Sequence, residues 1–120
     1  MPTSTIVNLD PLRKLLRDNK SAIKKALELF VESTTEDMQM LGLYIHDKKI
    51  LEASRIAHSL KTRFVYLGND DAVFKIKRLE TLLKEGREST FLEIKDLFEN
   101  LNLMISNCLL ELNEEISALA

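Results

Sequence analysis

Residues 50–68 read ILEASRIAHSLKTRFVYLG. Apolar side chains recur at Ile50, Ala53, Ala57, Leu60, Phe64 and Leu67, three and four residues apart in alternation. That spacing draws one apolar seam along a helix of 3.6 residues per turn. Gly68 closes the segment, because glycine enters the left-handed conformation of a helix C-terminus without a Cβ clash. On a wheel of 100° per residue, His58 points roughly 140° away from the centre of the seam. It faces solvent or a partner rather than the core. Residues three and four positions away share its face, and these are Ser54, Arg55, Lys61 and Thr62. Leu51 and Val65, seven residues to either side, project the same way.

The helical period continues outward in both directions. Val7, Leu9, Leu12, Leu15 and Leu16 predict a short first helix, with Pro11 tolerated in its first turn. Ile23, Leu27, Phe30, Met38, Leu41 and Ile45 predict a long second helix from about Ser21 to about Ile45, its stripe interrupted by Thr34. Asp47 is a candidate N-cap for the helix that carries His58. Beyond Gly68, Asn69, Asp70 and Asp71 supply a turn and an N-cap. A fourth helix follows with Ala72, Ile76, Leu79 and Leu83 on one face, ending at Gly86. Ser89 or Thr90 can cap a fifth, whose stripe is Ile94, Leu97, Leu101, Met104, Cys108 and Leu112. Long amphipathic helices joined by short loops pack as antiparallel neighbours. The expected fold is all-α: an up-down antiparallel four-helix bundle with a short extra N-terminal helix across one end, residues 1–120 forming a single domain.

Composition narrows the function classes. The 120 residues hold 17 basic and 19 acidic side chains, a formal charge of −2. A general nucleic-acid binder would carry a basic excess. Cys108 is the single cysteine, which excludes an intramolecular disulfide or a cysteine metal cluster. Its place in an apolar stripe reads as a core thiol. A reducing, cytoplasmic setting is the expectation. Met1 to Asp10 lacks the basic and apolar regions of a signal peptide. No apolar run approaches the ~18 residues that span a bilayer. One exposed histidine per bundle requires no dimer, so a monomer is expected.

The outer face of the third helix suits one chemistry. A neutral imidazole nitrogen is a good nucleophile near pH 7, since imidazole side chains ordinarily titrate near 6.5. Attack on a phosphoryl group would leave a phosphoramidate with roughly two negative charges. Lys61 and Arg55 could offset that charge, and Thr62 and Ser54 could donate hydrogen bonds. Leu51 and Val65 would frame a docking patch. Taken singly, each feature has a plainer reading: surface histidine, solvated cations, isolated exposed apolar residues. His46, beside Asp47 and Lys48 at a predicted turn, is a loop residue with nothing to activate it. Glu80 is a surface carboxylate or the partner of a nearby cation. There is no Gly-rich phosphate loop, kinase motif, HExxH or Ser-His-Asp pattern. Metal and catalytic acids would have to come from a partner.

The segment Ala57-His58-Ser59-Leu60-Lys61-Thr62-Arg63-Phe64-Val65-Tyr66-Leu67-Gly68 resembles the signature of the histidine-containing phosphotransfer (HPt) family, A-H-x-L-K-G followed by small or apolar residues and then L-G. Leu79-Glu80 with Lys84-Glu85-Gly86 resembles the family's L-E segment and the glycine after it. Leu27-Glu28-Leu29-Phe30 resembles the helix ahead of the histidine helix. The resemblance spans roughly Leu9 to Glu115. It implies a helical bundle, His58 as phosphoryl acceptor and donor, and Lys61 as the lysine that helps hold the phosphoryl group. It implies partners that are response-regulator receiver domains carrying Mg²⁺ and their own acids, with no cofactor on this chain. A hybrid sensor kinase is a further possible partner or parent protein. Thr62 departs from the family, standing where glycine usually lets a receiver approach closely; altered partner choice is the expected consequence. The alternatives are a phosphorylation-inactive module that binds or sequesters receivers, and a helical scaffold unrelated to signalling.

Overall fold

The computed structural model describes residues 8–119, so Val7 and most of the stretch Met1 to Asp10 lie outside the described residues. The described residues form five α-helices: α1 Asp10–Leu15, α2 Lys20–His46, α3 Ile50–Tyr66, α4 Asp70–Glu85 and α5 Phe91–Ala118. A single 3₁₀ turn, Glu88–Thr90, precedes α5. The fold is the expected all-helical bundle, 47 × 28 × 20 Å. Helix α2 packs on α3, α3 on α4, α4 on α5, and α5 back on α2, closing a ring of four. Connections of three residues after α2 and α3 reverse the chain each time, so successive helices run antiparallel.

Helices α2 to α5 bury most of the stripe their sequences predict, whereas α1 buries none of its own residues and leaves Leu15 of its predicted stripe 64% exposed. Ala53, Ala57, Leu60, Phe64 and Leu67 of the α3 seam are buried, as are Ala72, Ile76, Leu79 and Leu83 of α4. In α5 the stripe tilts: Ile105 is fully buried, while Met104 is only partly covered beside it. Thr34, which interrupts the apolar run of α2, sits in the core with no partner for its hydroxyl. Phe30 and Phe64 meet edge to face, 5.2 Å between centroids, and Arg63 bridges to Asp37 at 2.6 Å; both contacts fasten α3 to α2. Cys108 is buried, and desolvation pushes its thiol up to about 11 against a weaker opposing hydrogen bond with Asn69. It is a core residue, held protonated.

Asn19 caps α2 by accepting from Ala22 N at 3.0 Å. Two other caps differ from expectation. Asp47 does not cap α3. It closes α2 and bonds His46 Nδ1 at 3.2 Å, while Lys49 takes the N-cap position of α3 without a side-chain bond. Lys48 adopts a left-handed φ of 58°, and this bend leaves Asp47 on the α2 side of the turn. Thr90 is the N-cap residue of α5, yet its hydroxyl donates backwards to Arg87 O at 2.9 Å instead of capping. Asn69 behaves as predicted, accepting from Ala72 N at 3.0 Å. Gly68 and Gly86 end α3 and α4 with φ of 65° and 62°.

The N-terminal helix is fastened where α3 ends. Asn8 N donates to Leu67 O at 2.7 Å, and Leu9 is buried in the core. A Cβ on Gly68 would lie 2.7 Å from Asn8 Cβ, whereas one on Gly86 would meet nothing closer than 3.9 Å. Gly86→Ala should therefore carry only the left-handed backbone penalty, about 1 kcal/mol. Gly68→Ala should exceed it by displacing the Asn8 contact. Urea midpoints of the two variants, compared with the parent, check the order.

Candidate functional site

Helix α3 holds His58 on its outer face because its seam, with Ala53, Ala57, Leu60 and Phe64, faces inward and is buried. The His58 side chain is 64% exposed. Its ring is not free to spin, since Nδ1 lies 3.0 Å from Glu80 Oε2 on α4. Glu80 is almost wholly buried, with 8% of its side chain exposed. Its other oxygen, Oε1, accepts from Lys61 Nζ at 2.8 Å. Lys84, one turn further along α4, approaches Oε2 at 3.7 Å. One carboxylate thus gathers the histidine and two lysines.

The expectation of Glu80 as a surface carboxylate is corrected by this burial, while its pairing with a cation is seen directly. Buried residues on the same face of α4 carry position 80 toward the core: Ile76 and Leu83, four before it and three after it, are fully buried. A carboxylate taken out of water survives only when its oxygens are bonded. Burial pushes the Glu80 carboxyl up. The hydrogen bonds from Lys61 and His58 and the charges of Lys61 and Lys84 outweigh that push, leaving it below the ordinary value. Glu80 is therefore ionised at neutral pH. An ionised carboxylate only accepts, so Nδ1 carries the ring proton. The lone pair of the neutral ring is then on Nε2.

The other residues on this face divide into two groups. Lys61, Thr62 and Val65 line one shallow groove of about 420 Å³ between α3 and α4, together with Tyr66, Val73 and Lys77. Leu51, Ser54 and Arg55 lie nearer the N-terminal end of α3 and do not line it. Leu51 and Val65 are 61% and 57% exposed, and Arg55 is exposed, while Ser54 is half-buried. Thr62 Oγ1 donates to His58 O at 3.3 Å, a bond to the turn before it that occupies the hydroxyl proton. Tyr66, 55% exposed, adds apolar surface within the groove, and Lys77 adds a cation. Tyr66 stands off the apolar seam of α3, and that misplacement is the sequence signal that marks it. Phe74 of α4, 71% exposed, lines a separate groove with Arg78 and Glu93.

No helix among the described residues is long and apolar enough to cross a membrane. Comparisons with family models, with curated proteins and with solved structures return no match to this chain.

Glu80→Gln should destabilise the bundle by about 1–2 kcal/mol, because charge-assisted bonds become weaker neutral ones. The sign of its pH dependence follows from the lowered carboxyl. The folded value lies below the unfolded 4.5, so the stabilisation is complete above 4.5 and fades as pH falls through the folded value. Urea midpoints should differ between parent and variant at pH 7 and converge as the pH falls below the folded value.

Proposed function

We propose that this chain is a histidine phosphotransfer module that accepts a phosphoryl group on His58 from a receiver-domain aspartate and returns it to another receiver. The observation that carries the reading is the exposed His58 ring anchored through Nδ1 to a buried, ionised Glu80. The anchoring sets the tautomer and leaves Nε2 as the nucleophile on the accessible side of the ring. In the transfer, the P–O bond of an aspartyl phosphate breaks as an Nε2–P bond forms. The ring keeps its Nδ1 proton and becomes cationic, and Glu80 is already in place to offset that charge. The logic is that of a carboxylate that orients and steadies a catalytic imidazole. The phosphoryl oxygens bring roughly two negative charges. Lys61, one turn along from His58 and linked to it through Glu80, is positioned to turn toward them, with Arg55 on the outer face as a second cation.

Phosphoryl transfer asks mainly for positioning and charge stabilisation. The machinery that this face does not offer, Mg²⁺ and the acids that bind it, is assigned to the receiver. The exposed Val65, Tyr66 and Leu51 provide apolar surface on which a receiver can dock. The resemblance of residues 57–68 to the HPt signature supports the same reading. Thr62 is assigned to partner choice rather than to holding phosphate, since its hydroxyl proton is already given to the His58 carbonyl.

With a phosphorylated receiver and Mg²⁺, acid-labile, base-stable phosphate should appear on the parent protein and be absent from His58→Gln. Receiver binding retained by both proteins, with label on neither, would instead favour the inactive docking module. Thr62→Gly should shift transfer rates unequally across a panel of receivers. Equal rates for variant and parent throughout the panel would remove Thr62 from partner choice.

A further inference from the structure

Opposite the His58 face, across the ring of helices, α2 and α5 leave a groove of about 440 Å³. Its floor is apolar: Met38 and Gly42 on α2, Phe98, Ile105 and Leu109 on α5. The groove exists because position 42 has no side chain; a Cβ there would lie 3.1 Å from Phe98 Cζ. Leu43, 57% exposed, forms part of the rim. The stripe of α2 that lines the groove, Thr35 and Gln39, continues one turn back to Glu32, and Glu36 stands beside it. The stripe of α5, Asn102 and Ser106, continues one turn back to Glu99. The helices are antiparallel, so Glu32 and Glu99 stand at opposite ends of the groove. All three carboxylates are exposed, and none joins an ion pair among the described residues. Helix α5 as a whole carries six acidic residues against one lysine, Lys95.

We infer that this groove is a docking site for a cationic amphipathic helix of a protein partner. An apolar channel between two parallel ridges accepts the leucine-type stripe of a helix at i, i+3, i+4 and i+7. Unpaired carboxylates at its ends and rim complement lysines or arginines flanking that stripe. Charge also argues against a second copy of this chain. A twofold pairing would set the same groove against itself and bring Glu32, Glu36 and Glu99 of one copy near those of the other. The site is independent of His58 and of the phosphotransfer reading. It would let the module be held by one partner while its histidine face stays open to another.

The test is a fluorescence-anisotropy titration of the full chain with a labelled Leu/Lys helical peptide, leucines spaced three and four apart. Saturable one-to-one binding is expected, weakening with added salt. Ser106→Trp, which fills the groove from an exposed position, and the pair Glu32→Lys/Glu99→Lys should each weaken binding by about tenfold or more. Circular dichroism confirms that both remain helical. The His58→Gln variant should bind like the parent. A Leu/Glu peptide of the same spacing should not bind. Absence of saturable binding, equal affinity in the groove variants, or equal binding of the Leu/Glu peptide would overturn the inference. Concentration-dependent dimerisation of the parent that Ser106→Trp abolishes would assign the groove to a second copy instead.

Discussion

A carboxylate buried between two helices constrains everything around it. Glu80 lies where α3 meets α4, with 8% of its side chain exposed, and its charge is tolerable there only because three cation-bearing or proton-donating groups reach it. Those groups are then no longer independent surface residues. His58 has one ring orientation and one tautomer. Lys61 lies alongside the helix instead of extending into solvent. The register of α3 against α4 is tied to the two short bonds that Glu80 accepts. A slide of one turn along either helix would strand the charge in an apolar seam, a penalty of several kcal/mol in a domain whose whole stability is of order 10.

The same cluster gives the face its chemical asymmetry. Toward the core the carboxylate holds a proton on Nδ1; toward solvent the ring presents Nε2. Around it lie cations and exposed apolar side chains, Arg55, Lys77, Val65 and Tyr66, on a bundle whose opposite side is acidic. Charge is thereby segregated across the ring of helices in a chain whose net charge is only −2. A small overall charge conceals two surfaces of opposite character, which suit different partners. The α2–α5 groove, floored by Phe98 and opened by Gly42, is the apolar feature of the acidic side.

The bundle itself rests on plain packing. Helices α3 and α4 pack side by side, and Glu80, rooted on α4, reaches the histidine on α3. Phe64 extends the other way and stacks edge to face with Phe30 on α2. Its bulk fills the core rather than the outer face that carries His58. The Arg63–Asp37 pair fastens the same two helices near the half-buried rim.

Residues 50–68 alone determine that a helix forms, where its seam runs, that Gly68 ends it and that His58 points outward. The same kind of reading places both ends of α2 to within a residue and the end of α4 at Gly86, because side-chain periodicity and terminal glycines are local properties of the chain. It also lists His58, Lys61, Arg55, Thr62, Leu51, Ser54 and Val65 as neighbours on one face. It does not show that Lys61, Thr62 and Val65 share a groove that Leu51, Ser54 and Arg55 do not line. Only the tertiary structure decides that Glu80 is buried and that it takes His58 and Lys61. It also decides that Asp47 closes α2 rather than opening α3, since the left-handed bend at Lys48 sets the direction of the turn. The reason is physical. A period of 3.6 residues specifies which side chains share a face of one helix, but not which side chain of a neighbour meets that face. That depends on the rotation and register of the second helix, which the packing of both seams settles together.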